Sequence, residues 1–587
     1  MKNIFAIFIL ALLFACNDDY LEKFPQTSVA EKNFFKTTTD LRTYSYQFYD
    51  YFGASYSDRP SDNTTVDKGS VQSLLLGSVT ADNAGGWGNW STLRAINFFL
   101  DNYNNANGDA VEINKYAAMG RFARAKIYTG MVQSYSDVPW YSHVVKDDDE
   151  EMLFKSRDIR ELVVDSIIAD LEFATNNLTN ESSKTLLSKW VAYAELSRFC
   201  LYEGTYRKYH SGETDLHVVK PADYFLNKAI GAADEVMKSG IFQISSKGNP
   251  FEDYGDLFNG GTELNSNPEI IMYIDYEDDK REHDAANVLD FENGISRTMA
   301  DSYLDFNGSF VSKSVTDVTP LEGVFANRDP RMKQSLYFPG YIVPSDVIPY
   351  KISINKTGGY GQIKFIPKVK GKNWERGASS CYTDLPLYRY AEVLLNYAEA
   401  KAELGQLNQS DLDKTINALR DRVGVGHLFM NPAIDPQNES INKGITSKQK
   451  AELLEIRRER RVELFAEGFR YTDMMRWKLG KIFEEAQQGI YVPPTGLVDV
   501  TGDGEADYFI SDSESSKPAN LPINVSVLIT TSDDSPVYLE NGNYGHIMFK
   551  FEQKGIGTFV EPKYYYRPIP TSELLLNKKL KQIFGWN

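Results

Sequence analysis

Apolar residues recur every three or four positions through several long stretches of this 587-residue chain, and each stretch predicts an amphipathic helix. Met119, Ala123, Ile127, Met131 and Tyr135 fall four apart, and Pro139 closes the pattern. A second helix is expected from a Ser156 cap, with Leu162, Ile167, Leu171 and Ala174 along one side. Two alanine-rich stretches follow, over 188–206 and 224–240, the latter stopped by Gly240. Two more occupy 385–405 and 448–480. Small-residue-rich helices in pairs predict tetratricopeptide-like hairpins, but no strict 34-residue period is present, so the scaffold is degenerate rather than a regular solenoid. The stretches between, 57–70, 81–90 and 245–386, are rich in Gly, Asn, Asp and Pro and also in aromatics. Loops this long inside a packed fold are functional or disordered, and their aromatic content argues against disorder. The fold class expected is mainly α: a helix-pair scaffold for stability and a loop-rich face for binding.

The first residues follow another pattern. Lys2 is the one charged side chain before an apolar run from Ile4 to Ala15, which ends on Cys16. A helix spans a bilayer with about 20 apolar residues, so this run is too short and reads as an export signal over residues 1–15. Leu13-Phe14-Ala15-Cys16 resembles a lipobox, which makes Cys16 the expected site of acylation. Asn17-Asp18-Asp19 resembles the acidic tether of surface-exposed lipoproteins. No later segment has the length and apolarity of a span, so membrane attachment is expected at this end.

Composition narrows the rest. Hydrophobic residues make up 42% of the chain, enough for a sizeable core in one large fold or two to three average domains. A net charge of −18 argues against nucleic acid or an anionic lipid surface as partner, since both need clustered Lys and Arg. With Cys16 used as an anchor, Cys200 and Cys381 remain, and pairing or two buried thiols both fit. Tyrosine (36) and phenylalanine (33) are abundant, and a tyrosine packs with its ring while leaving a polar tip available.

Candidate chemistry lies mostly in the loops. In "GGWGNW", Trp87 and Asn89 sit among glycines that let a ligand approach the backbone, and an aromatic ring suits the flat C–H face of a sugar. Trp90 opens the helical pattern "WSTLRAINFFL", so core packing competes with binding there. Asp58, Asp62, Asn63 and Asp67 offer oxygen acceptors to hydroxyls, or cap their own turns. Trp374, Arg376 and Tyr382 form a second cluster, and Arg281 with His283 a third. "RRERRVELFAEGFR" repeats Arg457/Arg461 and Glu459/Glu463 four apart, which reads as a charge-laced solvated or scaffold face; the acidic run Asp147–Glu151 reads the same way. Asp499, Thr501, Asp503, Glu505 and Asp507 fall at positions 1, 3, 5, 7 and 9 of a calcium loop with Gly504 at position 6, though Ile510 replaces the usual Glu at position 12. The six histidines show no metal-ligand spacing, and there is no nucleophile elbow or phosphate-binding loop in context.

Five stretches together carry a family resemblance: "GRFARAKIYTGMVQSYSDVPW", "FANRDPRM", "LPLYRYAEVLLNYAEAKAELG", "RRERRVELFAEGFRYTDMMRW" and "YRPIPTSELLLNKKLKQIFGWN". In this order they resemble the SusD/RagB family of nutrient-binding outer-membrane lipoproteins, with Phe584 in place of the family's common proline near the end. The resemblance implies one domain over 16–587, with helical scaffold in 16–240 and binding loops plus further helices in 241–587. It implies a non-enzymatic role, catching an oligosaccharide at the surface of a Gram-negative cell and passing it to a SusC-like TonB-dependent transporter. A peptide ligand within the same family and an exported glycoside hydrolase are the alternatives. Calcium is the one cofactor suggested by the residues, and none is required.

Overall fold

The computed structural model describes residues 35–53, 55–65, 70–289, 294–344, 346–368, 379–553 and 555–586. Cys16 and its signal, Asp67, Trp374 and Arg376 lie outside them. Helices of seven residues or more among the described residues are α1 (Thr38–Ser45), α2 (Trp90–Asn102), α3 (Ala110–Tyr135), α4 (Arg160–Asn177), α5 (Lys189–Tyr209), α6 (Ala222–Lys238), α7 (Tyr390–Glu403), α8 (Ile416–Val423), α9 (Lys450–Glu463) and α10 (Arg470–Arg476). None of them is long and apolar enough to cross a membrane.

The scaffold is a stack in which α3 packs on α4, α4 on α5, α5 on α6, α6 on α7 and α7 on α9. Small residues set the spacing. A Cβ on Gly204 would lie 2.8 Å from Leu226 Cγ, and one on Gly120 would lie 3.0 Å from Phe99, so α5–α6 and α2–α3 approach more closely than alanine allows. Ala117, Ala118, Ala123 and Ala125 of α3 are buried beside Phe122, Tyr128 and Val132, so this helix is covered nearly all round. Helix α4 does not begin at the expected Ser156 cap. Its N-cap position is Ile159, and the carboxylate of Asp137 in the preceding connection accepts the N–H of Arg160 at 2.8 Å instead.

Strand content is low. Strand β1 (Ile270–Ile274) pairs antiparallel with β2 (Leu385–Arg389), with Ile270 opposite Arg389 and Ile274 opposite Leu385. Strand β2 runs directly into α7, tying the 245–386 excursion to the scaffold. A second apolar core of Tyr254, Phe258, Met299, Tyr337, Phe365 and Phe549 fills that excursion and its contact with the C-terminal strands. Cys200 and Cys381 are both buried and form no disulfide with each other.

The arginine-rich stretch departs from the expected charge-laced surface. In α9, Arg457, Arg458, Glu459, Arg460 and Glu463 are all at most 3% exposed, and each has a partner outside the helix. Glu463 accepts from Arg331 (2.7 Å), Arg389 (2.6 Å) and Arg422 (2.5 Å). Glu269, just before β1, accepts from Arg389 (3.0 Å) and Arg422 (3.1 Å), and Arg331 also pairs with Asp329 (2.7 Å). Glu399 of α7 pairs with Arg476 and accepts the Trp477 indole N–H at 2.8 Å. Such charges are tolerated inside because each is neutralised and hydrogen-bonded by its neighbours.

Burial disfavours the charged form of Glu463, yet the guanidinium groups of Arg422, Arg389 and Arg331 outweigh it and hold this carboxyl well below 4.5. Its stabilisation is therefore present above pH 4.5 and lost as the pH falls below that value toward its folded-state pKa. Glu463→Gln leaves three buried arginines under-compensated, and a loss of about 3–5 kcal/mol is expected in urea unfolding at pH 7. A loss under about 1 kcal/mol would show that the network contributes little.

Candidate functional site

Beyond β1 the chain turns back on itself: Glu277 and Arg281 exchange two backbone hydrogen bonds of 3.0 Å. His283 then pairs with Cys381, its N–H reaching the Cys381 carbonyl at 2.8 Å and the reverse bond measuring 3.2 Å. The Tyr276 N–H donates to Asp384 at 2.9 Å. The β1/β2 pairing is thus prolonged into the loops, bringing Tyr276, Arg281 and His283 alongside Tyr382. Three of the expected candidates, Arg281, His283 and Tyr382, lie on these paired segments. The Arg281 guanidinium lies 5.6 Å from the Tyr276 ring centre, and His283 meets the same ring edge-on at 4.5 Å.

Across from this turn stands the 55–65 loop. Tyr56 donates its hydroxyl to the Pro386 carbonyl at 3.3 Å and packs edge-on against Phe365. Between the two walls is a cleft of 280 Å³ lined by Tyr56, Arg59, Tyr276, His283, Asp284 and Gln362. Aromatic rings beside a few polar groups form the combination that orients a polyhydroxylated ligand. Tyr56, Arg59 and Tyr276 were not singled out in the sequence; the run "DYEDDKREH" places Tyr276 beside Arg281, but only the β1/β2 register shows that it faces Tyr56.

Protonation of the cleft follows from its contacts. Burial lowers the His283 pKa below 6.5. Its Nδ1 accepts the Ala285 N–H at 3.1 Å, so Nε2 carries the proton and donates to the Thr383 carbonyl at 2.9 Å. Burial raises the Tyr276 hydroxyl above 10, against the opposing pull of Arg281. At neutral pH the cleft therefore offers a neutral imidazole and neutral phenols.

The foot of the 55–65 loop holds residues expected to bind ligand, and their side-chain oxygens are spent, Asp58 Oδ1 excepted. Asp62 is 2% exposed and accepts two bonds from Arg470, at 2.7 and 2.8 Å. Asn63 Oδ1 accepts from Arg461 at 2.7 Å, while its amide donates to Asp58 at 2.6 Å; Asp58 also accepts the Ala466 N–H. Asp62 and Asn63 thus anchor the loop to α9 and α10 rather than reaching a ligand, a correction that follows from their burial.

Trp87 and Trp90 exchange roles relative to the sequence reading. Trp87 is 7% exposed, edge-on to Tyr135 at 4.9 Å and to Trp90 at 5.8 Å, so it is a core residue. Trp90, though the first residue of α2, is half-buried and meets Tyr141 at 5.7 Å in a separate, largely apolar cleft of 330 Å³. Asn89 is exposed at the helix start without a side-chain cap. Gly88 has φ +69°, and a Cβ there would strike the Trp90 ring at 2.7 Å, so this turn needs glycine.

The calcium-like loop turns its carboxylates onto its own backbone. Asp499 accepts the N–H groups of Gly502 (2.6 Å) and Gly504 (2.8 Å), Asp503 that of Glu505 (2.9 Å), and Asp507 those of Val500 (2.8 Å) and Thr501 (2.7 Å). Thr501 hydroxyl points to Asp499 at 3.4 Å, and Glu505 is exposed. Oxygens already committed to the loop do not converge on a cation, so this geometry does not fit the calcium set the spacing suggested.

Two outcomes follow. The unfolded state takes up a proton at the ordinary histidine pKa of 6.5 while folded His283 resists it, so stability falls as pH drops through and below 6.5. Titration of the His283 ring by NMR is expected to show a midpoint under 6.5, and a midpoint at or above that value would contradict the burial argument. Trp87→Ala is expected to cost about 3–5 kcal/mol of folding stability, as for other buried tryptophans, readable in thermal or urea unfolding.

Known proteins share both this sequence and this architecture. Residues 268–586 match the model described as the SusD family, and residues 19–201 match one described as starch-binding associating with the outer membrane. Among curated proteins, SusD-like protein P2 of Formosa agariphila is 24% identical over 499 residues, covering 81% of this chain and 90% of that protein. SusD-like protein P38 of the same organism is also 24% identical, over 81% of this chain and 91% of its own length. A solved SusD-like protein from Bacteroides fragilis superposes with a TM-score of 0.66 at 20% identity, over 96% of this chain and all of that one. A SusD-like carbohydrate binding protein from the same species gives 0.63 at 21% identity, over 93% and 100%. The chain belongs to the SusD family.

Proposed function

We propose that this chain is a cell-surface lipoprotein, anchored through Cys16, that captures an oligosaccharide in the loop cleft and delivers it to a SusC-like TonB-dependent transporter. The observation that carries the glycan reading is the cleft itself: Tyr56 and Tyr276 stand on opposite walls, with Arg59, Asp284 and Gln362 between them. Rings cover the C–H faces of a sugar while the polar groups take its hydroxyls. The description of one family model as starch-binding and of one solved relative as carbohydrate binding supports the ligand class. Outer-membrane association in the same description supports the location. Binding without turnover is the role we assign, and Cys16 with the following aspartates supplies attachment and surface display.

The test is a glycan array with a soluble form that begins at residue 17, followed by calorimetry on the best ligand. Tyr276→Ala is expected to weaken binding about tenfold with no change in fold. Released reducing ends that track the protein would sink the non-enzymatic reading, and retained peptide but no glycan would change the ligand class. Cys16→Ala is expected to abolish acylation and free the protein from the membrane fraction.

A further inference from the structure

Behind Ser55 and Tyr56, which also line the loop cleft, the scaffold contains a second concavity with unspent polar groups. Cavities of 190 and 370 Å³ between α3, α5 and α10 meet at Gln133, Tyr202 and Thr472. Thr129 lines the smaller one; it is 8% exposed, and its hydroxyl has no hydrogen-bond partner among the described residues. Gln133 is one turn further along the same face of α3. Neither its amide nor the Thr472 hydroxyl on α10 makes a hydrogen bond to any described residue, and both are half-buried.

The charged groups around them are committed. Lys126 pairs with Glu195 at 3.1 Å, Arg198 with Glu392 at 2.6 Å, and Arg460 with Asp473 at 2.8 Å. The interior of the cleft thus shows spare neutral donors and acceptors and no spare charge; Arg567 is exposed on the lining of the larger cavity. Aromatic surface comes from Tyr202 and Tyr471. A single water satisfies two to four polar groups, but its share of liquid volume is only about 30 Å³. This space is several times larger, and its unpaired groups stand on two helices.

We propose that this cleft is a second saccharide subsite, which takes one neutral sugar ring through the Thr129 and Thr472 hydroxyls and the Gln133 amide. Ring hydroxyls satisfy the three unpaired side chains, and a tyrosine covers the C–H face. A neutral sugar is favoured over a carboxylated or sulfated one, because Lys126, Arg198 and Arg460 on the lining are already paired with acids. The ligand class rests on the glycan-binding reading of the family, whereas the three polar groups of the site do not line the loop cleft.

The experiment is saturation-transfer NMR on the purified chain with D-glucose, D-galactose, D-mannose, D-xylose and N-acetylglucosamine in turn. It is run on the wild type, on a Tyr276→Ala/Arg281→Ala double variant, and on Thr129→Val and Gln133→Leu. At least one sugar is expected to retain its signal in the loop-cleft variant and to lose it about fivefold in Thr129→Val and Gln133→Leu, both with unchanged circular dichroism. Should Thr129→Val fail to fold, Gln133→Leu at the half-buried position decides alone. No signal from any of these sugars in the wild type overturns the proposal, as does a signal indifferent to both cleft substitutions. A signal sensitive to Gln133→Leu, together with oligosaccharide affinity indifferent to Tyr276→Ala, sinks the loop-cleft reading and leaves this one standing.

Discussion

Neutralising Glu463 is the constraint on which the rest of the architecture depends. A carboxylate with no exposure is tolerable only if its counter-charges arrive with it, and Arg331, Arg389 and Arg422 come from three separate segments. Arg389 ends β2, Arg422 lies in α8, and Arg331 lies within "FANRDPRM", so the excursion and the scaffold must both be in place before α9 can be buried. The same helix then holds the binding face: Arg461 grips Asn63, and Arg470, seven residues past α9, grips Asp62. The loop wall containing Tyr56 is therefore positioned by the charge network rather than by its own turn chemistry.

This division explains how a chain of long loops presents an ordered cleft. The turn wall is a prolongation of the β1/β2 pairing, and the opposite wall is tethered at its foot by ion pairs. Backbone pairing holds one wall and buried ion pairs the other, which leaves Arg281 and Asp284 exposed at the rim. Preorganised walls reduce the ordering cost of capture.

Much of the scaffold was legible because helical periodicity is local. Met119 to Tyr135 and Leu162 to Ala174 fall on α3 and α4, and the alanine-rich stretches fall on α5 and α6. Long-range electrostatics was not legible. Arginines four apart read as a laced solvated or scaffold face, whereas the acids that neutralise them are Glu403 for Arg457 and, hundreds of residues away in sequence, Asp62 for Arg461. The same limit reversed Trp87 and Trp90: glycines beside Trp87 suggested an open loop, but Tyr135 on α3 covers it. In the Asp499–Asp507 loop the spacing of oxygens was readable and their direction was not. The loop cleft was half legible, since His283 stood out while Tyr56 and Tyr276 needed the strand register.

The Asp137 cap on α4 has a consequence for engineering. The bond from Asp137 to the Arg160 N–H, with Val138 accepting the Asp158 N–H at 3.2 Å, pinches the chain shut across some twenty residues. The residues next to the pinch pack back onto the scaffold, with Tyr128 donating to the Pro139 carbonyl and Arg124 to the Ser142 carbonyl, whereas Asp147, Asp148, Glu150 and Glu151 at the tip are exposed. Loop-closure entropy grows only slowly with length once the ends are fixed. That tip is accordingly a natural insertion point for an epitope or a fluorescent reporter.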